Sequence, residues 1–334
     1  MMSLLRFLID LSLAGVAAGT ILPLLWRIFP RATMLAPMAP QWAGAAAVLA
    51  LLALLVGFRA DAAAAAMVLC WNLVVIWRYV SPFSARTAAE APPALKVMGF
   101  NVWIGNTSSG AVSDVLRDSG ADVIGLVETT RNMKDALAGL KDVYPYSVDC
   151  MDLDPLCEIM LLSKLPIANP YAGTIDDRFP FVAMGEVTVS GTPVTVVVTH
   201  LVSPLAGPHR PPGLRAAKSN PRPPDLPKTP AIPQSRQAAN LAAFLQRQPD
   251  DLILMGDFNS AGWSPVLVSF RAATGLEARR RLLPTWPSWA WPVLRLPIDH
   301  VFTRGRARIL SVETGPAAGS DHFPVIAEIG LMAR

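Results

Sequence analysis

The placement of apolar residues constrains this chain more than any other feature, because nearly all of the excess sits in the first 80 residues. Residues 7–26 carry a single charge, Asp10, while residues 42–58 and 62–77 carry none. A bilayer core about 30 Å thick asks for roughly 20 apolar residues per helix, so the first run fits and the other two fit with their flanks. Only Arg59, Ala60 and Asp61 separate the second run from the third, which reads as a tight helical hairpin. Arg6 ahead of the first run also looks like the n-region of a signal peptide, but a signal peptide accounts for one run out of three. The expectation is a membrane anchor of three transmembrane helices over residues 1–80. Asp10 then lies near the membrane surface or against a neighbouring helix, and Cys70 is a packing residue.

The texture then changes. Residues 81–94 are rich in Pro, Ala and Ser without any period and read as a linker. At a few ångström per residue, that linker keeps whatever follows within tens of ångström of the bilayer. Residues 95–334 form the remaining unit, interrupted at 203–233 by a Pro-rich insertion that blocks helix and central strand. Formal net charge is +4 over the whole chain. From Lys96 onward it is about +1, from 23 Lys and Arg against 22 Asp and Glu, which argues against a dedicated DNA-coating surface. The cations concentrate in the insertion, at Arg210, Arg215, Lys218, Arg222 and Lys228. Three cysteines make no disulfide scaffold. Cys150 and Cys157 bracket a segment with turn character, and either a bridged hairpin or two half-buried thiols suits that spacing.

Short β-branched runs of strand length occupy residues 95–101, 123–128, 159–163, 184–189, 194–200, 252–257 and 299–302. Helical spacing appears at 111–119 and at 234–248, where Ala238, Leu241, Ala242 and Leu245 recur. Alternating strands and helices imply a mixed α/β fold with buried sheets. Several of the runs end abruptly in a residue able to bind metal or phosphate: Asn101, Glu128, His200, and Asp257 with Asn259 in Gly-Asp-Phe-Asn. Asp299 opens Asp-His-Val-Phe, and Asp321 and His322 stand in Ser-Asp-His-Phe-Pro-Val. Taken singly, a Glu, Asn or Asp at a strand end is an ordinary turn former. Together they bring imidazoles and oxygen ligands of the kind Mg²⁺ prefers to the sheet rim where α/β proteins gather ligands.

In order and wording these segments resemble the endonuclease/exonuclease/phosphatase superfamily, over about residues 95–329. The most specific elements are Gly-Asp-Phe-Asn before Ser260 and the Ser-Asp-His-Phe-Pro-Val segment; Leu-Leu-Ser-Lys-Leu-Pro-Ile at 161–167 departs mildly, with Lys164 where the family has Arg. The resemblance implies a four-layer α/β/β/α sandwich with two packed mixed β-sheets, hydrolysis of phosphoester bonds, and Mg²⁺ or Mn²⁺ as cofactor. It implies Glu128 as the main metal ligand with Asn101 beside it, and Asp321 completing the metal or phosphate shell. Asp257 would align or deprotonate the attacking water, and Asn259 would hold the phosphate or that water. His322, oriented by Asp299, would contact the phosphate or act as general base, and His200 would be a general acid or phosphate ligand. Such a set is chemically coherent, because a phosphodiester transition state builds negative charge that a divalent cation and imidazolium groups face. His300 reads as a strand residue, and His209 has no partner nearby in sequence.

Thr285-Trp286-Pro287 resembles a segment found before the Asp-His strand in some membrane-linked members, so Trp286 is a candidate substrate-lining residue. Trp289 and Trp291 nearby either pack or meet the bilayer surface. The expected substrate is a phosphoester, nucleic acid or phospholipid. A nuclease, a lipid phosphodiesterase of sphingomyelinase type and a non-catalytic membrane scaffold are the alternatives. The chain is expected to be integral to the plasma membrane, the inner one in a bacterial cell. Arg27, Arg31, Arg78 and Arg86 against Arg6 and Arg59 favour a cytoplasmic catalytic domain, and a bridged Cys150–Cys157 pair favours the exported side. The exported, periplasmic side is the expectation, since the charge difference is small.

Overall fold

A computed structural model of the chain describes residues 2–80, 92–154, 156–175, 178–205, 233–278 and 281–333. The linker at 81–94 is described only from residue 92, and most of the Pro-rich insertion, with His209, lies outside the described residues.

Three N-terminal helices, α1 (Met2–Ile21), α2 (Ala39–Leu55) and α3 (Arg59–Val80), pack side by side. The spans Met2–Leu25, Pro30–Leu55 and Arg59–Val80 are each long and apolar enough to cross a membrane. Their outward faces carry exposed Leu11, Leu51, Leu55 and Trp77, the pattern of helices that lack an aqueous neighbour. Inside the bundle, Asn72 Nδ2 donates to Thr20 Oγ1 at 2.9 Å, tying α3 to α1. Cys70 is exposed rather than packed, and Asp10 faces outward from α1, not toward a neighbouring helix.

The remainder folds as two six-stranded sheets packed face to face. The first contains β1 (Pro93–Asn101), β2 (Val123–Val127), β3 (Tyr146–Asp149), β4 (Ile159–Ser163), β11 (Ala307–Thr314) and β12 (Val325–Leu331), in the order β11-β12-β1-β2-β4-β3. The second contains β5 (Ala168–Ile175), β6 (Arg178–Val189), β7 (Thr192–His200), β8 (Leu252–Asp257), β9 (Glu277–Ala278) and β10 (Asp299–Arg304), in the order β5-β6-β7-β8-β10-β9. Each sheet has one parallel pair at its centre, β1 with β2 and β7 with β8, and antiparallel pairs elsewhere. Their near-continuous apolar sequences follow from burial on both faces.

Helices complete the outer layers. α4 (Ser109–Asp118) buries Val112 and Leu116 and, with α5 (Arg131–Ala136), covers the first sheet. α6 (Gln234–Leu245) and α7 (Pro265–Thr274) press Ala238, Leu241, Leu245, Leu267 and Phe270 onto Val197, Leu254 and Phe302 of the second. The architecture is therefore a four-layer α/β/β/α sandwich preceded by three apolar helices. Cys150 and Cys157 are disulfide-bonded, with Cα atoms 5.6 Å apart.

The three apolar helices are packed directly onto the sandwich. Trp263 Nε1, just before α7, donates to the Ala36 carbonyl at 2.7 Å, and its ring meets Tyr79 of α3 edge-on with centroids 5.6 Å apart. Gln41 Nε2, at the start of α2, donates to the carbonyl of Val293 at 2.8 Å. Gly262 lies against the Tyr79 ring so closely that no Cβ fits between them.

Candidate active site

The parallel pairs decide where the site forms. β1, β2, β7 and β8 all end at one rim, and the antiparallel β4, β10 and β12 start there, so strand ends and strand beginnings meet. His200 pairs in register with Asp257 across β7 and β8, and Asp257 with Asp299 across β8 and β10. Asn101 ends β1, Glu128 follows β2, and Asp321 and His322 precede β12. All eight residues singled out from the sequence thus reach one rim.

Asp257 lies at the centre and is 1% exposed. Its Oδ2 is 3.7 Å from His200 Nε2 on one side and 3.7 Å from His322 Nε2 on the other. Each imidazole is backed by a buried carboxylate: His322 Nδ1 bonds Asp299 Oδ2 at 2.8 Å, and His200 Nδ1 bonds Glu158 Oε1 at 2.9 Å. Asn101 Nδ2 donates to Glu128 Oε1 at 3.1 Å and to Asp257 Oδ2 at 3.0 Å, while its Oδ1 accepts from the Trp103 amide. Asn101 therefore reaches the cluster through its nitrogen, as a strut between two carboxylates. The Ile104 amide holds Glu128 Oε2 at 3.1 Å. Asn259 donates its backbone N–H to Asp257 Oδ1 at 2.7 Å and its side-chain amide to the Leu201 carbonyl at 2.9 Å. Trp286 Nε1 donates to Asp321 Oδ2 at 3.0 Å.

Local backbone geometry is unusual where the chemistry is. Glu128 (φ 55°) and Asn259 (φ 47°) both occupy the left-handed region, which costs a non-glycine residue on the order of 1 kcal/mol and clusters at functional sites. Gly256, at φ 147°, leaves no room for a Cβ beside the Thr199 carbonyl, which is why Gly precedes Asp257 in this motif.

Electrostatically the site is a set of opposed charges out of water. Burial opposes protonation of His200, yet Glu158, Asp257 and Glu128 outweigh it and raise its pKa to about 9. His322 is likewise held at about 10 against burial, chiefly by Asp299. Burial, reinforced by the Asp299 carboxylate, pushes Asp257 up to about 7. Burial also works against the ionised form of Glu128, but the two imidazoles, the Ile104 amide and Asn101 bring it below the ordinary carboxylate range. Asp321 is raised, mainly by burial. His300 is pushed down to about 4 by burial; it bonds the Ser260 carbonyl and stacks on Phe302, a packing role away from the cluster.

The donor set fits a hard divalent cation. Ligand atoms of Glu128, His200 and Asp257 lie within 4.8 Å of one another, as do those of Asp257, Asp299 and His322. Asp321 Oδ1 is buried and finds no hydrogen-bond partner among the described residues. Oxygen-rich clusters with an unpaired carboxylate oxygen suit Mg²⁺ or Mn²⁺.

Two residues of the rim escaped the sequence reading. Glu158 precedes an apolar run instead of ending one; its only signal is an acidic residue flanked by Cys157 and Ile159, both buried. Gln234 is buried at the start of α6 and donates to the carbonyls of Val202, Phe258 and Asn259, clamping the exits of β7 and β8. Nothing in the sequence separates it from a surface glutamine.

The sequence profile of the Endonuclease/Exonuclease/phosphatase family matches residues 98–322, more than half of the chain. The chain belongs to this family. Its members hydrolyse phosphoester bonds and use divalent metals. Among solved structures, the fold is similar to a humanized D. rerio TDP2, with 15% identity, TM-score 0.52, and 71% of this chain and 98% of that one covered. It is also similar to a functionally unknown conserved protein from Enterococcus faecalis (13%, TM-score 0.53, 71% and 100% covered). An endonuclease/exonuclease/phosphatase from Beutenbergia cavernae gives 17%, TM-score 0.51, and 72% of each chain. At these identities the likeness speaks for the fold alone. No curated protein matches the sequence significantly.

Proposed function

We propose that this chain is a membrane-anchored, divalent-metal-dependent phosphodiesterase. The observation that carries the reading is the convergence of two histidine–carboxylate pairs on Asp257, beside Glu128 and Asp321. Glu128 and Asp321 would hold the cation, with Asn101 fixing Glu128 against Asp257. A cation there supplies positive charge facing the phosphoryl oxygens.

The side chains of this protein would do the rest. Asp257, with its pKa near neutrality, takes a proton from the attacking water as oxygen bonds to phosphorus. Asn259, whose backbone is fixed on Asp257, positions that water or a phosphoryl oxygen. The charged imidazoles of His322 and His200 face the developing negative charge, and His200 gives its Nε2 proton to the leaving oxygen as the P–O bond breaks. Asp299 and Glu158 keep the two rings oriented.

The disulfide between Cys150 and Cys157 supports an exported catalytic domain on the plasma membrane, since such bonds persist outside the reducing cytosol. Turnover of bis-p-nitrophenyl phosphate by the full-length chain tests the activity. It should need Mg²⁺ or Mn²⁺, stop with chelator, and fall by at least about a hundredfold in Glu128→Ala and His322→Ala. Variant rates equal to that of wild type would dismiss the assignment, and no turnover by wild type with either metal would leave a non-catalytic scaffold.

A further inference from the structure

The catalytic rim and the anchor share one edge of the molecule. From the site residue Asn259 the chain runs within four residues to Trp263, which bonds Ala36. Upstream of Asp299, Val293 and Arg295 give their carbonyls to Gln41 at the head of α2, at 2.8 and 3.4 Å. α2 begins, and α3 ends, at this edge, so the end of the sandwich that holds Asp257 is the end seated on the membrane helices.

The second contact belongs to a loop, residues 286–296, closed at its base by the pairing of Trp286 with Leu296. Its base is part of the site: Trp286 Nε1 bonds Asp321 Oδ2, and the Ser288 amide bonds the Asp321 carbonyl at 2.7 Å. Apart from the carbonyls held by Gln41, its tip presents exposed apolar side chains. Trp289 is 80% exposed, Trp291 78% and Val293 75%, with Leu294 beside them. Two indoles and two aliphatic side chains held in water on a short, anchored loop cost free energy unless something apolar covers them. Tryptophan is the residue most at home in the headgroup layer.

We infer that the 286–296 loop is an interfacial wedge that enters the bilayer beside the anchor, and that the site therefore works on a phosphodiester lipid held in that same bilayer. The occupant follows from continuity: Gln41, which holds the Val293 carbonyl, opens the helix whose exposed apolar residues begin about two turns further along at Val48 and run on through Leu51 and Leu55. A lipid in the headgroup layer next to Trp289 needs little displacement to bring its phosphate to Asp321 and His322. This inference rests on the phosphodiesterase reading for its substrate, but the position of the loop is independent of catalysis.

The test uses the full chain in proteoliposomes of phosphatidylethanolamine and phosphatidylglycerol. A spin label is placed at Val293→Cys in a Cys70→Ser background, and a reference label at Lys141→Cys in the α5 layer. The 293 label should be accessible to oxygen and shielded from a water-soluble nickel chelate. Equal nickel access at both positions would overturn the wedge and leave the patch for a soluble partner or a second copy. In parallel, Trp289→Ala/Trp291→Ala should leave bis-p-nitrophenyl phosphate turnover unchanged and lower release of phosphorylated headgroup from the vesicle lipid by roughly tenfold. A wild type that cleaves bis-p-nitrophenyl phosphate or single-stranded DNA but no vesicle lipid overturns the substrate inference while the hydrolase stands. If it cleaves nothing, the phosphodiesterase reading itself fails, and the label still decides the wedge.

Discussion

Glu158→Gln isolates the charge behind His200. The glutamate is 5% exposed, touches His200 Nδ1 through Oε1 at 2.9 Å, and its Oε2 has no partner among the described residues. An imidazole with a pKa of about 9 instead of 6.5 is favoured in its charged form by about 3 kcal/mol, at about 1.4 kcal/mol per unit. Burial works against that charge, and Glu158 is the largest influence in its favour; Asp257 and Glu128 lie farther off, at 3.7 and 3.9 Å. Glutamine keeps the shape and an acceptor for Nδ1–H but removes the charge. The His200 pKa should then fall by about two units, back toward the ordinary histidine range. Titration of the histidine ring nitrogens by NMR in metal-free protein, with His200→Gln assigning the resonance, reads this directly. At pH 8 turnover of bis-p-nitrophenyl phosphate should drop about tenfold, because a ring titrating near 7 keeps its proton in about a tenth of the molecules there, against about nine-tenths in wild type; the melting temperature of the metal-free protein checks folding. A His200 that still titrates near 9 in the variant would refute the pairing as the source of its charge.

Three further outcomes follow from the same geometry. Cys150→Ser should destabilise the catalytic domain by about 2 to 3 kcal/mol, the loop-closure value for so short a loop, seen as a lower denaturation midpoint than wild type in non-reducing buffer. His300 is buried neutral with its pKa near 4, so the unfolded chain binds a proton first as pH falls below about 6.5; the stability of wild type relative to His300→Phe should decline by about 3 kcal/mol between pH 6.5 and 4, measured by melts across that window. Gly262→Leu should push the Tyr79 ring off its seat and expose the 261–263 contact to added protease, without altering the site's histidine titrations.

What the sequence disclosed and what it withheld divide along a physical line. Parallel central strands end in polar residues at one rim, so Asn101, Glu128, His200 and Asp257 stand out as breaks in apolar runs. Antiparallel strands bring their beginnings to that rim, and a carboxylate before an apolar run, as Glu158 before β4, looks like any turn residue. Edge strands were illegible for a related reason: β5 contains Pro170 and exposed residues that a central strand would not tolerate, yet at the edge of the sheet the missing N–H faces no partner strand. β11, with Arg308 and Ser311 among its apolar positions, also lacks an apolar run. The seating of the three apolar helices depends on Trp263 meeting Ala36 across 227 residues of sequence, which no local pattern encodes. Trp289 and Trp291 had two readings in the sequence, and their exposure removes the packed one.

In the proposed mechanism this rim directs water onto phosphorus, with Asp257 accepting the proton. Single-turnover hydrolysis of bis-p-nitrophenyl phosphate by the full-length chain, with Mg²⁺ in water enriched in heavy oxygen, tests it most directly by mass spectrometry of both products. The heavy atom should appear in p-nitrophenyl phosphate and not in p-nitrophenol, with incorporation abolished in Asp257→Asn. Heavy oxygen in the phenol, or incorporation that continues unchanged in Asp257→Asn, would contradict it.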